Sequence, residues 1–214
     1  MINWDDCSPL TREEFDAFIS MAIPFLKSME YKNRGVIIKM LKTFRGGIHP
    51  PEKKEITERL PSLPISPGDE VIIQGPNWPD YRGQIDMVNA KTVYAKVDES
   101  NDFKMTADVI EPLITDKTKL IIINSPSNPT GGVLDWEDLL EIAELVKKYK
   151  IFIISDEPYE RLVYDGFEQK SLASIPGIED YVLTINSLSK TYAMTGFRVG
   201  YICANETIVE NLVK

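Results

Sequence analysis

Histidine and cysteine are nearly absent from this chain. His49 is the only histidine, and Cys7 and Cys203 are the only cysteines among 214 residues. A histidine-based triad or a zinc site is therefore not expected. Two cysteines far apart, without a metal-ligand companion, argue against a disulfide scaffold and for a reducing compartment. Positive charge is also short: 24 Lys and Arg stand against 33 Asp and Glu, a net charge of −9. That balance supplies no basic footprint for a sequence-independent hold on nucleic acid. No uninterrupted apolar stretch is long enough to cross a bilayer, and no signal-peptide pattern is seen. The cytoplasm is the expected compartment, with neither membrane nor nucleic acid as a partner.

What is present points to a packed α/β domain. The 43% apolar fraction, beside 27% charged residues, is that of a globular protein rather than a disordered one. Short apolar runs recur at Val71-Ile72-Ile73, Leu120-Ile121-Ile122-Ile123, Ile151-Phe152-Ile153-Ile154 and Tyr181-Val182-Leu183-Thr184-Ile185. Val93 to Val97 is a weaker strand candidate, and Val199 to Ala204 a further one. Their near-continuous Ile, Leu and Val character suits strands buried on both faces of a mostly parallel sheet. Between two of them, Asp135 with Asp138 can cap a helix whose Leu139, Ile142, Ala143 and Val146 share one face. Asn205 can cap a last helix carrying Ile208, Val209 and Leu212. The expected fold class is α/β, three layers, with a mostly parallel sheet flanked by helices.

Residues 1–66 read differently from residues 67–214, and the boundary is placed there. Thr11 and Glu14 form a capping box ahead of Phe15, Phe18, Ile19 and Ala22, and Pro24 should kink or divide that helix. Val36 to Leu41 is an apolar run of uncertain type. Proline recurs at 50, 51, 61, 64 and 67, leaving only a short charged helix around Lys53 to Leu60.

Ligands in open α/β sheets bind at the carboxyl ends of the strands. Three strand candidates end in polar, chemically capable segments: Asn124-Ser125-Pro126-Ser127-Asn128, Ser155-Asp156, and Asn186-Ser187 followed by Lys190. Residues distant in sequence would thus meet along one crevice. An aldehyde cofactor explains why these types are wanted together. Lys190 can form a Schiff base and carry protons. Asp156 can face a pyridine nitrogen and keep it protonated. Tyr159 and Asn128 can bond a ring oxygen, Arg198 and Ser187 can hold a phosphate dianion, and Trp78 offers a flat face for stacking. Taken singly, each has an ordinary reading as surface charge, helix cap, turn or core. The ordered set at strand ends is what points to a site.

From about Pro67 onward the chain resembles the large domain of class I/II aminotransferases of the aspartate aminotransferase fold. It is most similar to the prokaryotic-type aspartate and aromatic enzymes. The resemblance is carried by Pro67-Gly68-Asp69-Glu70-Val71, Gly75-Pro76-Asn77-Trp78-Pro79-Asp80-Tyr81 and Asn124 through Asn128-Pro129-Thr130-Gly131-Gly132. It continues in Ser155-Asp156-Glu157-Pro158-Tyr159 and in Ser187-Leu188-Ser189-Lys190 through Arg198-Val199-Gly200. It implies pyridoxal 5'-phosphate as cofactor, Lys190 as its catalytic lysine, and Asp156 on the pyridine nitrogen. It further implies Tyr159 and Asn128 on the ring hydroxyl, Ser187 and Arg198 on the phosphate, and Trp78 stacked on the ring. The implied reaction is ping-pong transfer of an amino group from an amino acid to a 2-oxo acid, with a homodimer or a complementing chain as partner.

The pattern is that of a truncated large domain. The family's small-residue phosphate cradle is not matched near Glu52-Lys53-Lys54, and Gly46-Gly47 stands too early. The small domain, which supplies the arginine for the substrate carboxylate, has no counterpart in the sequence. A catalytically inactive fragment or partner-binding remnant is therefore an alternative expectation. A related pyridoxal-phosphate lyase or decarboxylase is another.

Overall fold

The structure is a computed structural model that describes residues 65–197, 199–205 and 208–209, together with the backbone of Ile37–Lys42. The strands are β1 (Ile37–Lys42), β2 (Glu70–Gly75), β3 (Lys91–Lys96), β4 (Thr118–Asn124), β5 (Phe152–Asp156), β6 (Val182–Ser187) and β7 (Val199–Ala204). They form one sheet in the order β1-β7-β6-β5-β4-β2-β3. Strands β2 to β6 run parallel, and β7 is antiparallel to both β6 and β1. The mostly parallel expectation thus holds, with one reversed strand. The apolar run at Val36 to Leu41 resolves into the edge strand β1. Thr11, Pro24, Gly46-Gly47 and the helix expected around Lys53 to Leu60 fall outside the described residues, as do Cys7, His49 and Leu212.

Isoleucine explains why these segments are central strands. Its β-branched side chain suits the pleated surface, and here it is buried on both faces. On one face Ile72, Ile121 and Ile153, all 0% exposed, pack with Leu139, Ile142, Ala143 and Val146 of helix α2 (Trp136–Tyr149). On the other, Val71, Ile73, Leu120 and Ile122 pack with Ile85 of helix α1 (Asp80–Met87) and with Ile208 and Val209. Each fully buried isoleucine contributes about 1.5–3 kcal/mol of hydrophobic stabilisation. Helices thus cover both faces, as the three-layer reading expected.

Caps set where these helices start. The Asp135 carboxylate accepts from the Asp138 N–H at 3.0 Å, and Asp138 returns the bond to the Asp135 N–H at 2.9 Å. Lys104 reaches both carboxylates at 2.9 Å, so the loop before β4 is pinned to the start of α2. Asn205 accepts from the Ile208 N–H at 2.9 Å, capping the segment that carries Ile208 and Val209. Among the described residues no helix is long and apolar enough to cross a membrane.

Two glycines answer to geometry. Gly68, at φ +89°, makes the turn into β2 and donates to the Asn89 carbonyl at 2.8 Å. Gly132 lies so close to the Phe103 carbonyl that a Cβ there would sit 2.6 Å from that oxygen. This packs the turn after β4 onto the preceding loop.

Candidate functional site

The register of the parallel strands assembles the site. Asn124 is the last residue of β4 and pairs with Asp156, the last of β5, so both side chains leave the same face at the carboxyl edge. Ile185 of β6 pairs with Asp156, and Ser187 emerges on that face one step further on. Because β1 and β6 each run antiparallel to β7, β1 ends at this same edge.

Asn124 bridges the two strand-end segments. Its Nδ2 donates to the Asp156 carbonyl at 2.9 Å, and its Oδ1 accepts from the Asn128 N–H at 2.7 Å. Asn124 is itself buried, so these bonds satisfy groups that water does not reach. Asn128 in turn donates from Nδ2 to the Tyr159 hydroxyl at 3.3 Å. Lys190 is exposed, in the short helix α3 (Leu188–Thr191), and its Nζ lies 5.6 Å from the centroid of the Tyr159 ring. Four chain segments thus converge: the turn after β4, the end of β5, the turn after it, and α3.

Ser187 caps α3, accepting from the Ser189 N–H at 3.1 Å while its hydroxyl donates to the Val199 carbonyl at 3.3 Å. Trp78, between the carboxyl end of β2 and α1, is 45% exposed. Arg198 lies outside the described residues.

Two acids, Asp156 half-buried and Glu157 buried, flank the edge on opposite faces. Burial raises the Asp156 carboxyl above its ordinary range, and a hydrogen bond from the Tyr81 hydroxyl to Oδ2 opposes that rise. Burial likewise pushes the Tyr81 phenol well up, and the Asp156 charge adds to the effect. Glu157 is 2% exposed and accepts from Ser155 Oγ at 2.7 Å and Ser171 Oγ at 2.9 Å. Its burial pushes the carboxyl up to about 7. Burial raises the Cys203 thiol to about 12, with the charges of Glu157 and Glu160 adding to it. A thiol so held is protonated and unreactive at neutral pH.

Sequence reasoning assigned no role to Tyr81, Asn124 or Glu157. Tyr81 falls in the first turn of a helix that begins just beyond a strand's carboxyl end. That position was the available signal that its hydroxyl turns toward the crevice. Asn124 closes its strand and could have been read as a tie between strand ends.

With this geometry in view, comparison with known proteins identifies the family. A family model described as aminotransferase class I and II matches residues 54–214, and the chain belongs to that family. Among curated relatives, an aspartate aminotransferase of Pyrococcus abyssi is 40% identical over 150 residues, covering 70% of this chain and 39% of its own length. An aromatic-amino-acid aminotransferase 2 of Thermococcus litoralis is also 40% identical over 150 residues, with the same two coverages. The crystal structure of an aromatic aminotransferase from Pyrococcus horikoshii superposes with a TM-score of 0.73 at 35% identity. It covers 83% of this chain and 45% of that one. The chain thus spans about two fifths of the length of the curated relatives it matches.

Proposed function

We propose that this chain holds pyridoxal 5'-phosphate at the carboxyl edge of its sheet, and that the protein transfers an amino group from an amino acid to a 2-oxo acid. The observation that carries the reading is the convergence of Lys190, Tyr159, Asn128 and Asp156 from separate segments onto one edge. Family membership supports it, and the aminotransferase names of the relatives agree with it.

The donor set fits that cofactor. Asp156 is a half-buried carboxylate with one oxygen bonded to Tyr81, and Oδ1 accepts no hydrogen bond among the described residues. Oδ1 can therefore accept a hydrogen bond from a protonated pyridine nitrogen. Asn128 and Tyr159, already in mutual contact, present an amide and a phenol to a ring hydroxyl. Ser187 stands at the start of α3, where a phosphate oxygen can be bonded, and Arg198 is assigned to the same group from its place in the sequence. Trp78 supplies the stacking face.

When bound, the cofactor supplies an aldehyde for covalent capture of an amine and a ring that accepts electron density from the substrate's α-carbon. The chain's own residues do the rest. Lys190 Nζ provides the amine, and once released it can carry a proton to and from the α-carbon. Asp156 keeps the ring nitrogen protonated, which strengthens the ring as an electron sink. Tyr159 and Asn128 hold the ring oxygen in place, so that Lys190 meets the reacting carbon in a fixed geometry.

The test is an absorbance titration of purified protein with pyridoxal phosphate, beside Lys190→Ala. The expected result is a saturable visible band in the wild type that borohydride fixes on Lys190, and no such band in the variant. A folded wild type without the band, or a label on another lysine, overturns the proposal. Those results favour a remnant that keeps the pocket residues without using them.

A further inference from the structure

Tyr81 is the one side chain among the described residues whose hydroxyl bonds the Asp156 carboxylate. It comes from α1, in the layer that covers the sheet face carrying Asp156, so its reach to the strand end is set by helix-to-sheet packing. Ile85, one turn further along α1, is 4% exposed in the core of that face. The helix therefore cannot roll without exposing Ile85, and the hydroxyl is held where it is.

We propose that Tyr81 is a positioning residue that acts through Asp156 on the pyridine nitrogen of the bound cofactor. By donating to Oδ2 it fixes the carboxylate's rotamer and directs Oδ1 to the ring. This rests on the cofactor reading above and deepens it.

The physical argument has two parts. A half-buried carboxylate is costly to keep ionised. The phenol, whose own ionisation burial opposes, remains a donor and favours the charged form of Asp156. An ionised Asp156 makes a charge-assisted bond to a protonated ring nitrogen, whereas a neutral one does not. The second part is geometric. One oxygen tied to a helix leaves the carboxylate a single orientation, so less rotational freedom is lost when the ring binds.

Three measurements on the whole chain test this. In cofactor-free protein, the Asp156 carboxyl is followed by carbon NMR across pH, with its signal identified by Asp156→Asn. Tyr81→Phe should raise its titration midpoint by roughly one pH unit or more, because a bond favouring the ionised form is lost. Pyridoxal phosphate affinity should then fall roughly ten- to hundredfold in Tyr81→Phe, while borohydride still labels Lys190. The analogue in which carbon replaces the pyridine nitrogen should bind wild type and variant alike.

An unchanged Asp156 midpoint overturns the proposal. Equal weakening of the cofactor and the carbon analogue also overturns it, and assigns Tyr81 to packing alone. Failure of the wild type to bind the cofactor at all sinks the functional reading instead, and the cofactor-free titration still decides whether Tyr81 governs Asp156. If Tyr81→Phe does not fold, 3-fluorotyrosine at position 81 keeps the shape and strengthens the donor. The Asp156 midpoint must then move down.

Discussion

Replacing Glu157 with glutamine should make the fold more stable at neutral and alkaline pH and remove part of its pH dependence. Glu157 is 2% exposed and accepts from two serine hydroxyls and the Leu172 N–H, with no cation beside it among the described residues. Burial raises its carboxyl from the ordinary 4.5 to about 7. The folded state therefore holds a proton that the unfolded chain releases earlier. Where the native state binds more protons, stability falls as pH rises. The loss begins above 4.5 and is complete above about 7. A separation of that size corresponds to about 3 kcal/mol for a single group. Both serines donate to Oε1, which the glutamine amide oxygen can replace. The assay is urea unfolding of both proteins between about pH 4 and pH 8, comparing free energies at matched pH so that other acids cancel. The variant should gain about 1–3 kcal/mol on the wild type across that range. A difference that does not change with pH would show that Glu157 is ionised in the fold, and the burial argument would be wrong.

Two substitutions test other parts of the edge. Gly132→Ala would place a Cβ 2.6 Å from the Phe103 carbonyl, a backbone atom that cannot swing aside. It should cost about 1–3 kcal/mol in urea unfolding, and a wild-type midpoint would mean the turn yields freely. Asn124→Leu removes the bridge between the Asp156 carbonyl and the Asn128 N–H. It should destabilise the fold by about 2–4 kcal/mol and weaken pyridoxal phosphate binding as well. Unchanged cofactor affinity would show that strand pairing alone aligns these segments.

Most of the frame is legible because isoleucine is unambiguous. Leu120 to Ile123 and Ile151 to Ile154 are too short for helices and too apolar for loops, and they fall inside β4 or overlap β5. Asp135 and Asp138 mark the start of α2 because their side chains answer orphan N–H groups at that spacing. The direction of β7 was not legible. An apolar run buried on both sides looks the same whichever way it runs, and orientation depends on where the connection returns. Nor was β1, whose run Val36 to Leu41 suits a short helix as well as a strand. Within the site, a residue could be singled out where its type implied chemistry, as for Lys190 and Asp156. Tyr81 and Glu157 escaped because their importance lies in what they touch. A tyrosine in a helix reads as packing, and a glutamate reads as solvated until the fold buries it.

The adjacent acids show how one strand end can separate two tasks. Successive side chains leave a strand on opposite faces, so the pleat sends Asp156 to the face of Asn124 and Ser187, and Glu157 to the other. There the two environments diverge. Asp156 meets a phenol, and its Oδ1 accepts no hydrogen bond among the described residues, whereas Glu157 accepts from two serine hydroxyls on Oε1 and from the Leu172 N–H. Ser171 lies beyond the turn that carries Tyr159, so Glu157 tethers the far end of that turn to the strand. Exchanging the two residues would not conserve these contacts, although composition and net charge would be unchanged. The longer side chain would crowd Tyr81, and the shorter one would fall short of Ser171. The order Asp-Glu is thus read by the fold as two addresses, one meeting Tyr81 of α1 and the other holding the end of the loop that carries Tyr159.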